Sequence, residues 1–322
     1  PAFHNAPQLE LARELTRLSG LSNVSFANSG AEANEAAIKL ARKWGRLHRG
    51  GAYEVITTHN AFHGRTLAMM SASGKPGWDA LFPPVMPGFV KVPFGDAGAV
   101  TAQIRPQTVA VMVEPIQGEA GVVTAENGYL RALRALCDEH DLLLICDEVQ
   151  TGIGRTGKLF AFEHELVRPD ILTLGKGLGG GVPISAVLAN PRANCFVPGD
   201  QGGTYNGNPL MTAVARRVLS IVANESFLAH VRAMGAELER RLEPLARARG
   251  CSLRGRGLLW ALVLPEARAE AMVKTCFEHG LLLNAARPNV LRLMPSLRVS
   301  SAEIAEMAAL LARAFETEPS AR

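Results

Sequence analysis

Short apolar runs alternate with longer amphipathic stretches over the first two thirds of the chain. The short runs predict strands at 23–26, 53–57, 89–92, 109–113, 142–146, 170–174 and 184–189. The longer stretches predict helices at 8–19, 31–48, 97–104, 126–140 and 207–222. Strands that are apolar on both faces and separated by helices are typical of a parallel sheet covered by helices. The pattern therefore predicts an α/β fold with a mostly parallel central sheet.

The pattern changes beyond about residue 222. A long helix is predicted at 225–249, followed by short strands near 257–264, 281–284 and 290–294 and a final helix at 301–315. We interpret this as two domains, a large one at 1–215 and a smaller α+β domain at 216–322. The first seven residues, PAFHNAP, lead straight into a helix, so we expect the chain to begin partway into its fold.

Composition narrows the class of protein. The chain has 322 residues, of which 48% are hydrophobic and 20% charged, as in ordinary soluble globular proteins. The net charge of +4 is spread along the chain, which argues against nucleic-acid binding. No apolar run approaches the roughly 20 residues that span a bilayer, so we expect no membrane association. Five cysteines without a CxxC pair indicate a reduced, cytoplasmic protein with no metal site.

Two acids stand at the end of the apolar strand at 142–146. They are Asp147 and Glu148, and no spacer separates them from the strand. Ionised carboxylates are costly to bury unless a cation meets them. Either this strand end is open to water, or a cation is bound there.

Two glycine-rich segments resemble nucleotide motifs only in part. The segment GIGRTG at 152–157 matches GxGxxG, but it does not turn directly from a strand into a long helix, as a dinucleotide site requires. The segment GKGLGGG at 175–181 places its lysine before most of its glycines, and no serine or threonine follows that lysine. Neither a nicotinamide site nor a P-loop is therefore favoured.

Two other features suit a phosphate and a carbonyl compound. Ser29 and Glu32 form a capping-box pattern, and Gly30 and Ala31 leave the first backbone N–H groups of the helix uncovered, as a phosphate site needs. Lys176 follows an apolar strand among glycines, where partial desolvation makes an amine nucleophilic towards carbonyls. An ordinary capped helix and a surface lysine in a turn are the alternatives. Together with Asp147, however, these features complete a pyridoxal phosphate site, in which the aspartate pairs with the protonated pyridine nitrogen.

Six segments support this interpretation, and they carry a family resemblance. The segments NSGAEANEAAIKLAR, NAFHGRT, VEPIQGEAGV, LLLICDEVQTGIGRTG, LGKGLGGGVPISAVLA and GGTYNGNPL resemble, in this order, the motifs of class III pyridoxal-phosphate aminotransferases. The resemblance is closest to acetylornithine and ornithine aminotransferases. It implies a fold-type I transferase and a homodimer with its sites at the interface.

The resemblance implies roles for the residues around the cofactor ring. Lys176 is the Schiff-base lysine and carries protons during the reaction, and Asp147 pairs with the pyridine nitrogen. Gln150 lies near the 3-oxygen of the ring, and Phe62 stacks on the ring.

It also implies how the phosphate and the substrates are held. Gly30 and Ala31 bind the phosphate through their backbone N–H groups, with Ser29 adjacent, and Thr204 reaches the phosphate of the other subunit. Arg65 binds a substrate carboxylate as a planar two-point partner. Glu119 neutralises Arg292 when an amine-bearing donor is present and releases it for 2-oxoglutarate.

The expected activity is transfer of the terminal amine of N-acetylornithine or ornithine to 2-oxoglutarate, as in arginine biosynthesis. A 4-aminobutyrate or other ω-amine transaminase is the alternative within the fold. A non-enzymatic binding protein on the same scaffold is disfavoured because Lys176, Asp147 and Arg65 are all retained. Members of the family carry a longer N-terminal segment that lines the neighbour's substrate pocket. We expect this chain to lack that segment.

Overall fold

The computed structural model describes residues 4–317; residues 1–3 and 318–322, which the predicted domains include, lie outside this range. The helices are α1 (Ala6–Ser19), α2 (Gly30–His48), α3 (Leu67–Ala72), α4 (Ala97–Ala102), α5 (Tyr129–Glu139), α6 (Pro209–Val222), α7 (Glu225–Ala248), α8 (Ala269–Glu278) and α9 (Ser301–Thr317). The strands are β1 (Asn23–Ala27), β2 (Glu54–Thr58), β3 (Phe89–Val92), β4 (Thr108–Val113), β5 (Ile116–Gln117), β6 (Val123–Thr124), β7 (Leu143–Asp147), β8 (Ile171–Leu174), β9 (Ser185–Ala189), β10 (Ser252–Arg256), β11 (Leu259–Val263), β12 (Asn284–Arg287) and β13 (Val290–Leu293).

A seven-stranded sheet in the order β1-β9-β8-β7-β4-β2-β3 organises the larger part of the chain. Strands β8, β7, β4, β2 and β3 pair in parallel, and β9 runs antiparallel to both of its neighbours. Strands β4, β7 and β8 are buried along their whole length, which is why their sequences are apolar on both faces. The predicted α/β fold with a mostly parallel central sheet is confirmed.

Helix α2 covers one face of this sheet. Its apolar stripe, which includes Ala33, Ala37, Leu40 and Trp44, recurs at helical spacing and is buried. The helix begins at a complete capping box, in which the Ser29 side chain accepts the Glu32 N–H and the Glu32 side chain accepts the Ser29 N–H. The position of this helix start is therefore determined by local sequence as well as by packing.

The described residues form two compact units. The large unit contains the chain up to Pro115, Ala125–Ile153 and Lys158–Ala223. The small unit contains Ile116–Thr124, Gly154–Gly157 and the chain from Asn224 onward. A division at 215/216 would fall inside helix α6, whereas the change of unit follows the end of that helix.

The small unit has an α+β architecture. Its antiparallel sheet has the order β10-β11-β13-β12, and helices α7, α8 and α9 share an apolar core with it. The hairpin β5–β6, taken from an earlier part of the chain, belongs to the same unit.

Sequence patterns failed at several elements of the small unit. The strand expected near 281–284 is wrong: the ladder begins only at Asn284, and Leu282 is 79% exposed, because an apolar run without alternation does not define a strand face. The strand expected near 257–264 corresponds to β11, which begins at Leu259 after Gly257, whose φ of +59° suits a tight turn. Helix α8, strand β10 and the hairpin β5–β6 of the small unit were not predicted, nor was helix α3 of the large unit. The hairpin strands have two residues each and α3 has six, which is too few to show a clear period.

Some features of the described residues bear on location and metals. Within residues 4–317 no helix is both long enough and apolar enough to cross a membrane. In the same part of the chain no group of histidine, cysteine and acidic side chains is arranged to hold a metal ion. The five cysteines are free thiols.

Candidate active site

The site lies in the large unit, at the carboxyl ends of adjacent parallel strands. Asp147 is the last residue of β7, and Lys176 comes two residues after the end of β8. Because β7 and β8 pair in parallel, with Asp147 opposite Thr173, the acid and the lysine leave the sheet at the same end. This is the end at which ligands bind in open α/β sheets.

Asp147 is buried, with 4% of its surface exposed, and both carboxylate oxygens are engaged. Oδ2 accepts a hydrogen bond from Asn34 Nδ2 and lies beside His63 Nδ1, each at 2.8 Å. Oδ1 accepts from the Val149 N–H at 3.1 Å and from Thr173 Oγ1 at 3.4 Å. The contacts hold the carboxylate rigidly, so the acid at this strand end is buried rather than open to water.

His63 is the neighbour of Asp147 within the chain that can carry a positive charge. Burial opposes charge on its imidazole, but the hydrogen bond and charge of Asp147, together with Glu114, outweigh burial and raise its pKa above the usual value. Its Nδ1 faces Asp147, whereas its buried Nε2 has no hydrogen-bond partner among the described residues. This histidine stands in the segment NAFHGRT, but no local pattern in the sequence marks it as a site residue.

Lys176 begins a short 3₁₀ turn after β8, with a φ of +39°. This left-handed conformation is uncommon for a residue with a side chain, and strained residues of this kind cluster at functional sites. The residue is exposed, so the desolvation expected from the sequence is not what distinguishes it. Its preceding residue, Gly175, packs so closely that a Cβ there would lie 3.2 Å from Val149 Cγ1 and 3.6 Å from the Gly30 nitrogen. The lysine turn therefore sits against the start of α2.

The start of α2 leaves few backbone donors for an anion. The Glu32 carboxylate accepts the N–H groups of Asn28 at 2.8 Å and Ser29 at 2.7 Å. Burial favours the protonated form of Glu32, but these hydrogen bonds outweigh burial and lower its pKa. The next two N–H groups, of Gly30 and Ala31, have no partner within the helix itself. A Cβ at Gly30 would lie 2.6 Å from Val149 Cγ1, so only glycine fits there.

The loop from Phe62 to Thr66 packs on this helix start. A Cβ at Gly64, whose φ is +137°, would lie 2.7 Å from the Ala31 Cβ. Phe62 is half-buried and meets Trp78 edge to face, with ring centroids 5.7 Å apart. Arg65 is exposed and forms no ion pair among residues 4–317.

Two further predicted residues lie on loops of the large unit. Gln150 follows Asp147 by three residues and is partly exposed. Thr204 is exposed, and its loop is anchored two residues later, where Asn206 Oδ1 accepts a hydrogen bond from Asn28 Nδ2 at 2.8 Å. This anchor joins the Thr204 loop to the residue that precedes Ser29.

The small unit brings together the other predicted pair. Arg292 Nη1, on β13, lies 2.6 Å from Glu119 Oε1 and donates to the Gly118 carbonyl at 3.2 Å. Glu119 lies between β5 and β6, far from β13 in the sequence. The two side chains that the family resemblance paired thus form an ion pair.

Two further acids at this end of the sheet are buried: Glu148, which the sequence pattern marked together with Asp147 but gave no role, and Glu114, which it did not mark. Glu148 accepts the N–H groups of Ala161 at 2.6 Å and Phe162 at 2.8 Å, and burial raises its pKa to about 8. It therefore caps a short 3₁₀ helix. Glu114, directly after β4, accepts the Phe62 N–H at 2.9 Å. An acid at the end of an apolar strand was the signal that singled out Asp147, and it applies equally to Glu114.

Comparison with known proteins assigns the family. The model of the family "Aminotransferase class-III" matches residues 1–315. Acetylornithine aminotransferase 2 of Bordetella parapertussis is 54% identical over 311 residues, which are 95% of this chain and 78% of the relative. N-acetylornithine aminotransferase of Stenotrophomonas maltophilia is 38% identical at a TM-score of 0.83, over 98% of this chain and 80% of that one. Ornithine aminotransferase of Toxoplasma gondii, solved with partially occupied pyridoxal phosphate in its active site, is 36% identical at a TM-score of 0.90, over 98% of this chain and 77% of that one.

The chain belongs to the class III aminotransferases. It is a pyridoxal-phosphate-dependent transaminase, and its substrates are an amino-group donor and an oxo-acid acceptor. The family and cofactor predictions are confirmed.

The residues present fit the cofactor. A buried, fixed carboxylate, an amine after the adjacent strand and a helix start that admits only glycine at its first position meet within one unit. The donor set is therefore suited to a ring nitrogen, an aldehyde and a phosphate.

Proposed function

We propose that the protein transfers the terminal amine of N-acetylornithine, or of ornithine, to 2-oxoglutarate, as a step of arginine biosynthesis. The observation that carries this proposal is the 54% identity, over 95% of the chain, to a protein named acetylornithine aminotransferase 2. Ornithine aminotransferases among the similar structures support the second donor.

The positions of the cofactor residues support the roles proposed for them. When bound, pyridoxal phosphate supplies an aldehyde carbon and an electron-withdrawing ring. In the proposal Lys176 provides the amine and moves the proton at the substrate carbon, while Asp147 holds the proton of the ring nitrogen. Phe62 would cover the ring, and Gln150 would bind its 3-oxygen.

The phosphate is assigned to the start of α2. In the proposal the N–H groups of Gly30 and Ala31 bind it, because Glu32 already occupies the N–H groups of Asn28 and Ser29. The Ser29 hydroxyl belongs to the capping box and lies 3.2 Å from the Glu32 carboxylate, so it contacts the phosphate only by turning away from that box.

The substrate residues are assigned by charge. Exposed Arg65 binds the carboxylate of the donor, since a guanidinium matches a carboxylate at two points. The ion pair of Glu119 and Arg292 neutralises the arginine for donors that have no second carboxylate. Opening this pair gives 2-oxoglutarate a partner for its second carboxylate.

Single-turnover rates with N-acetylornithine, ornithine, 4-aminobutyrate and glutamate test the donor. We expect N-acetylornithine to react fastest in the unmodified protein. Glu119→Gln should shift the preference towards glutamate by about tenfold, because a neutral amide holds the guanidinium about half as strongly as a carboxylate does. The half-reaction with 2-oxoglutarate should remain mostly intact.

Glu237→Gln is the matched control. Glu237 also forms ion pairs with arginines of the small unit, but on the surface of α7. This variant should keep the donor order. If 4-aminobutyrate reacts far faster than N-acetylornithine in the unmodified protein, the alternative ω-amine activity replaces the proposal. If Glu119→Gln leaves the donor order unchanged, the ion pair does not select donors.

We further propose that the protein works as a homodimer in which Thr204 reaches the phosphate of the other subunit. Several large apolar side chains of the large unit are exposed in two segments, and such surfaces commonly mark an interface. They are Leu67, Leu81, Phe82, Val85, Met86, Tyr205 and Leu210. Exposed Thr204 stands directly beside Tyr205, so it would be carried into a contact made there.

Mixing two inactive variants tests this arrangement. In a heterodimer of Lys176→Ala and Thr204→Ala chains, a threonine acting across the interface places both defects in one site and leaves the other site intact. We expect activity to return towards about one quarter of normal, since half the dimers are mixed at equal input and each has one intact site. The control mixture combines Lys176→Ala with Thr212→Ala chains, because Thr212 is a buried threonine on α6. Heterodimers that form but remain inactive would show that Thr204 acts within its own subunit.

A cytoplasmic location is also proposed. Its support is the set of five free cysteines, because such thiols are typical of a reducing compartment. Fractionation of cells producing the protein checks this location.

A further inference from the structure

Three neighbouring strands of the large unit deliver ionisable groups to one end of the sheet. Strands β8, β7 and β4 lie side by side and run in parallel. Val113 of β4 is opposite Cys146 of β7, so the next residues along these strands, Glu114 and Asp147, are neighbours. Lys176 leaves the same end of the sheet after β8. The site therefore contains two buried acids and one amine, although the proposed function uses only Asp147 and Lys176.

Glu114 is held in place but is not neutralised by direct contact. It is 5% exposed, and its Oε1 accepts the backbone N–H of Phe62 at 2.9 Å. Among the described residues it forms no ion pair. A single neutral hydrogen bond does not compensate a buried negative charge, so ionisation of Glu114 depends on the charges around it.

Three charged groups act on Glu114 from the surrounding elements. Burial raises its pKa, and the charge of Asp147 raises it further, whereas His63, the Phe62 hydrogen bond and Lys176 lower it. The result is a pKa of about 7. Glu114 is thus poised between its two protonation states at neutral pH, and the charge of Lys176 is one of the influences that set the balance.

We propose that Glu114 is the proton-exchanging partner of Lys176, taking up a proton when the lysine amine loses its positive charge and releasing it when the charge returns. The step is a proton transfer through water, since the carboxylate and the amine are not in contact. One N–H bond of the ammonium breaks, one O–H bond forms on the Glu114 carboxyl group, and the nitrogen keeps the electron pair. Lys176 must lose that proton before its amine can attack a carbonyl carbon. Glu114 would thereby keep the net charge at the strand ends constant.

The sign of the coupling follows from linkage. A positive charge on Lys176 stabilises the ionised form of Glu114, so removing this charge must raise the pKa of Glu114. By reciprocity, neutralising Glu114 must lower the pH at which Lys176 gives up its proton. The inference rests on Lys176 being the reactive amine, as proposed above, but both effects are measurable in the full chain without cofactor.

Carbon-13 NMR of glutamate-labelled protein measures the first effect. The Glu114 carboxyl signal, identified by its absence in Glu114→Gln, is followed against pH in the unmodified chain and in Lys176→Met. We expect the titration midpoint of Glu114 to rise by a few tenths of a pH unit in Lys176→Met, because the lysine charge acts across strand β7 from an exposed position. His63 and Asp147 remain in both proteins, so the difference reports the lysine charge. The charge of Lys158 acts on Glu163. The control variant Lys158→Met should therefore leave the titration midpoint of Glu114 unchanged.

Acylation of lysines by a small anhydride, read by mass spectrometry against pH, measures the reciprocal effect. Glu114→Gln should move the half-reaction of Lys176 to lower pH. Glu148→Gln is the matched control, because Glu148 is also fully buried but Lys176 is not among the groups that act on it. A Glu114 midpoint that is the same with and without the Lys176 charge overturns the proposal. A cofactor found on another lysine would instead refute the proposed function and leave the measured coupling in place.

Discussion

Replacing Lys176 with alanine is expected to reduce transamination by more than about 10³-fold. In the proposed function the lysine provides both the amine that binds the cofactor covalently and the group that moves the substrate proton, so one substitution would remove two functions. The backbone at this position is already in the left-handed conformation, which alanine adopts at the same cost as lysine. The Lys176→Ala variant should therefore fold with nearly unchanged stability, and the substitution should reduce turnover alone.

Borohydride reduction followed by peptide mapping gives the direct measurement. The reduced cofactor should be attached to the peptide that contains Lys176 in the unmodified protein and to no peptide in Lys176→Ala. Lys158→Ala is the control, since Lys158 is an exposed lysine of the same unit. Attachment to a different lysine, or turnover retained in Lys176→Ala, would show that the site has been assigned to the wrong amine.

Replacing Asp147 is expected to have the next largest effect, and two variants separate its roles. Asp147→Asn keeps the shape and one acceptor oxygen, but it removes the charge that, in the proposed function, holds the ring nitrogen in its protonated form. Turnover per bound cofactor should fall by about 10²-fold or more, the scale of losing a positioned acid–base partner.

Asp147→Ala should in addition destabilise the fold, because donors from Asn34, His63 and Val149 lose their acceptor. Each buried donor left unpaired costs about 1–3 kcal/mol.

Asp170→Asn provides the matched control for Asp147→Asn. Asp170 is also a buried aspartate, but it precedes β8 and so lies at the opposite end of the sheet from Asp147. There it binds Arg134 at 2.7 Å and Asn190 at 2.8 Å. We expect Asp170→Asn to lower the thermal midpoint while turnover per folded molecule stays normal. If the two variants lose turnover equally, Asp147 acts through stability and not through the cofactor.

Local patterns were sufficient for the elements that carry the site. The start of α2 was predictable because Ser29 and Glu32 satisfy each other's backbone groups within one turn. Strand β7 was predictable because a fully buried strand has no polar position before its end, which also marked Asp147. The same reasoning would have singled out Glu114 at the end of β4, had it been applied there.

Other site residues carry no local signal. Asn34 lies within the apolar stripe of α2, and only its bonds to Asp147 and to the His63 carbonyl explain a buried amide there. The two acids of the pair Asp147–Glu148 look equivalent in the sequence. They differ because Asp147 contacts His63 at the strand ends, whereas Glu148 caps the turn at Ala161. Successive side chains of a strand point to opposite sides, so only the packing on each side separates their roles.

The sequence by itself determined the fold class, the family, the cofactor and the candidates Lys176 and Asp147, because these depend on periodicity and on motifs of contiguous residues. Only the tertiary structure decided which groups meet. In the folded chain Gly175 packs against Gly30, and Glu119 pairs with Arg292. His63 and Glu114 lie around Asp147. These contacts join residues that are distant in the chain, so their geometry depends on strand order and register rather than on local sequence. The charge state of the buried acids depends in turn on those contacts, which is why the pKa of Glu114 could not be inferred from the sequence.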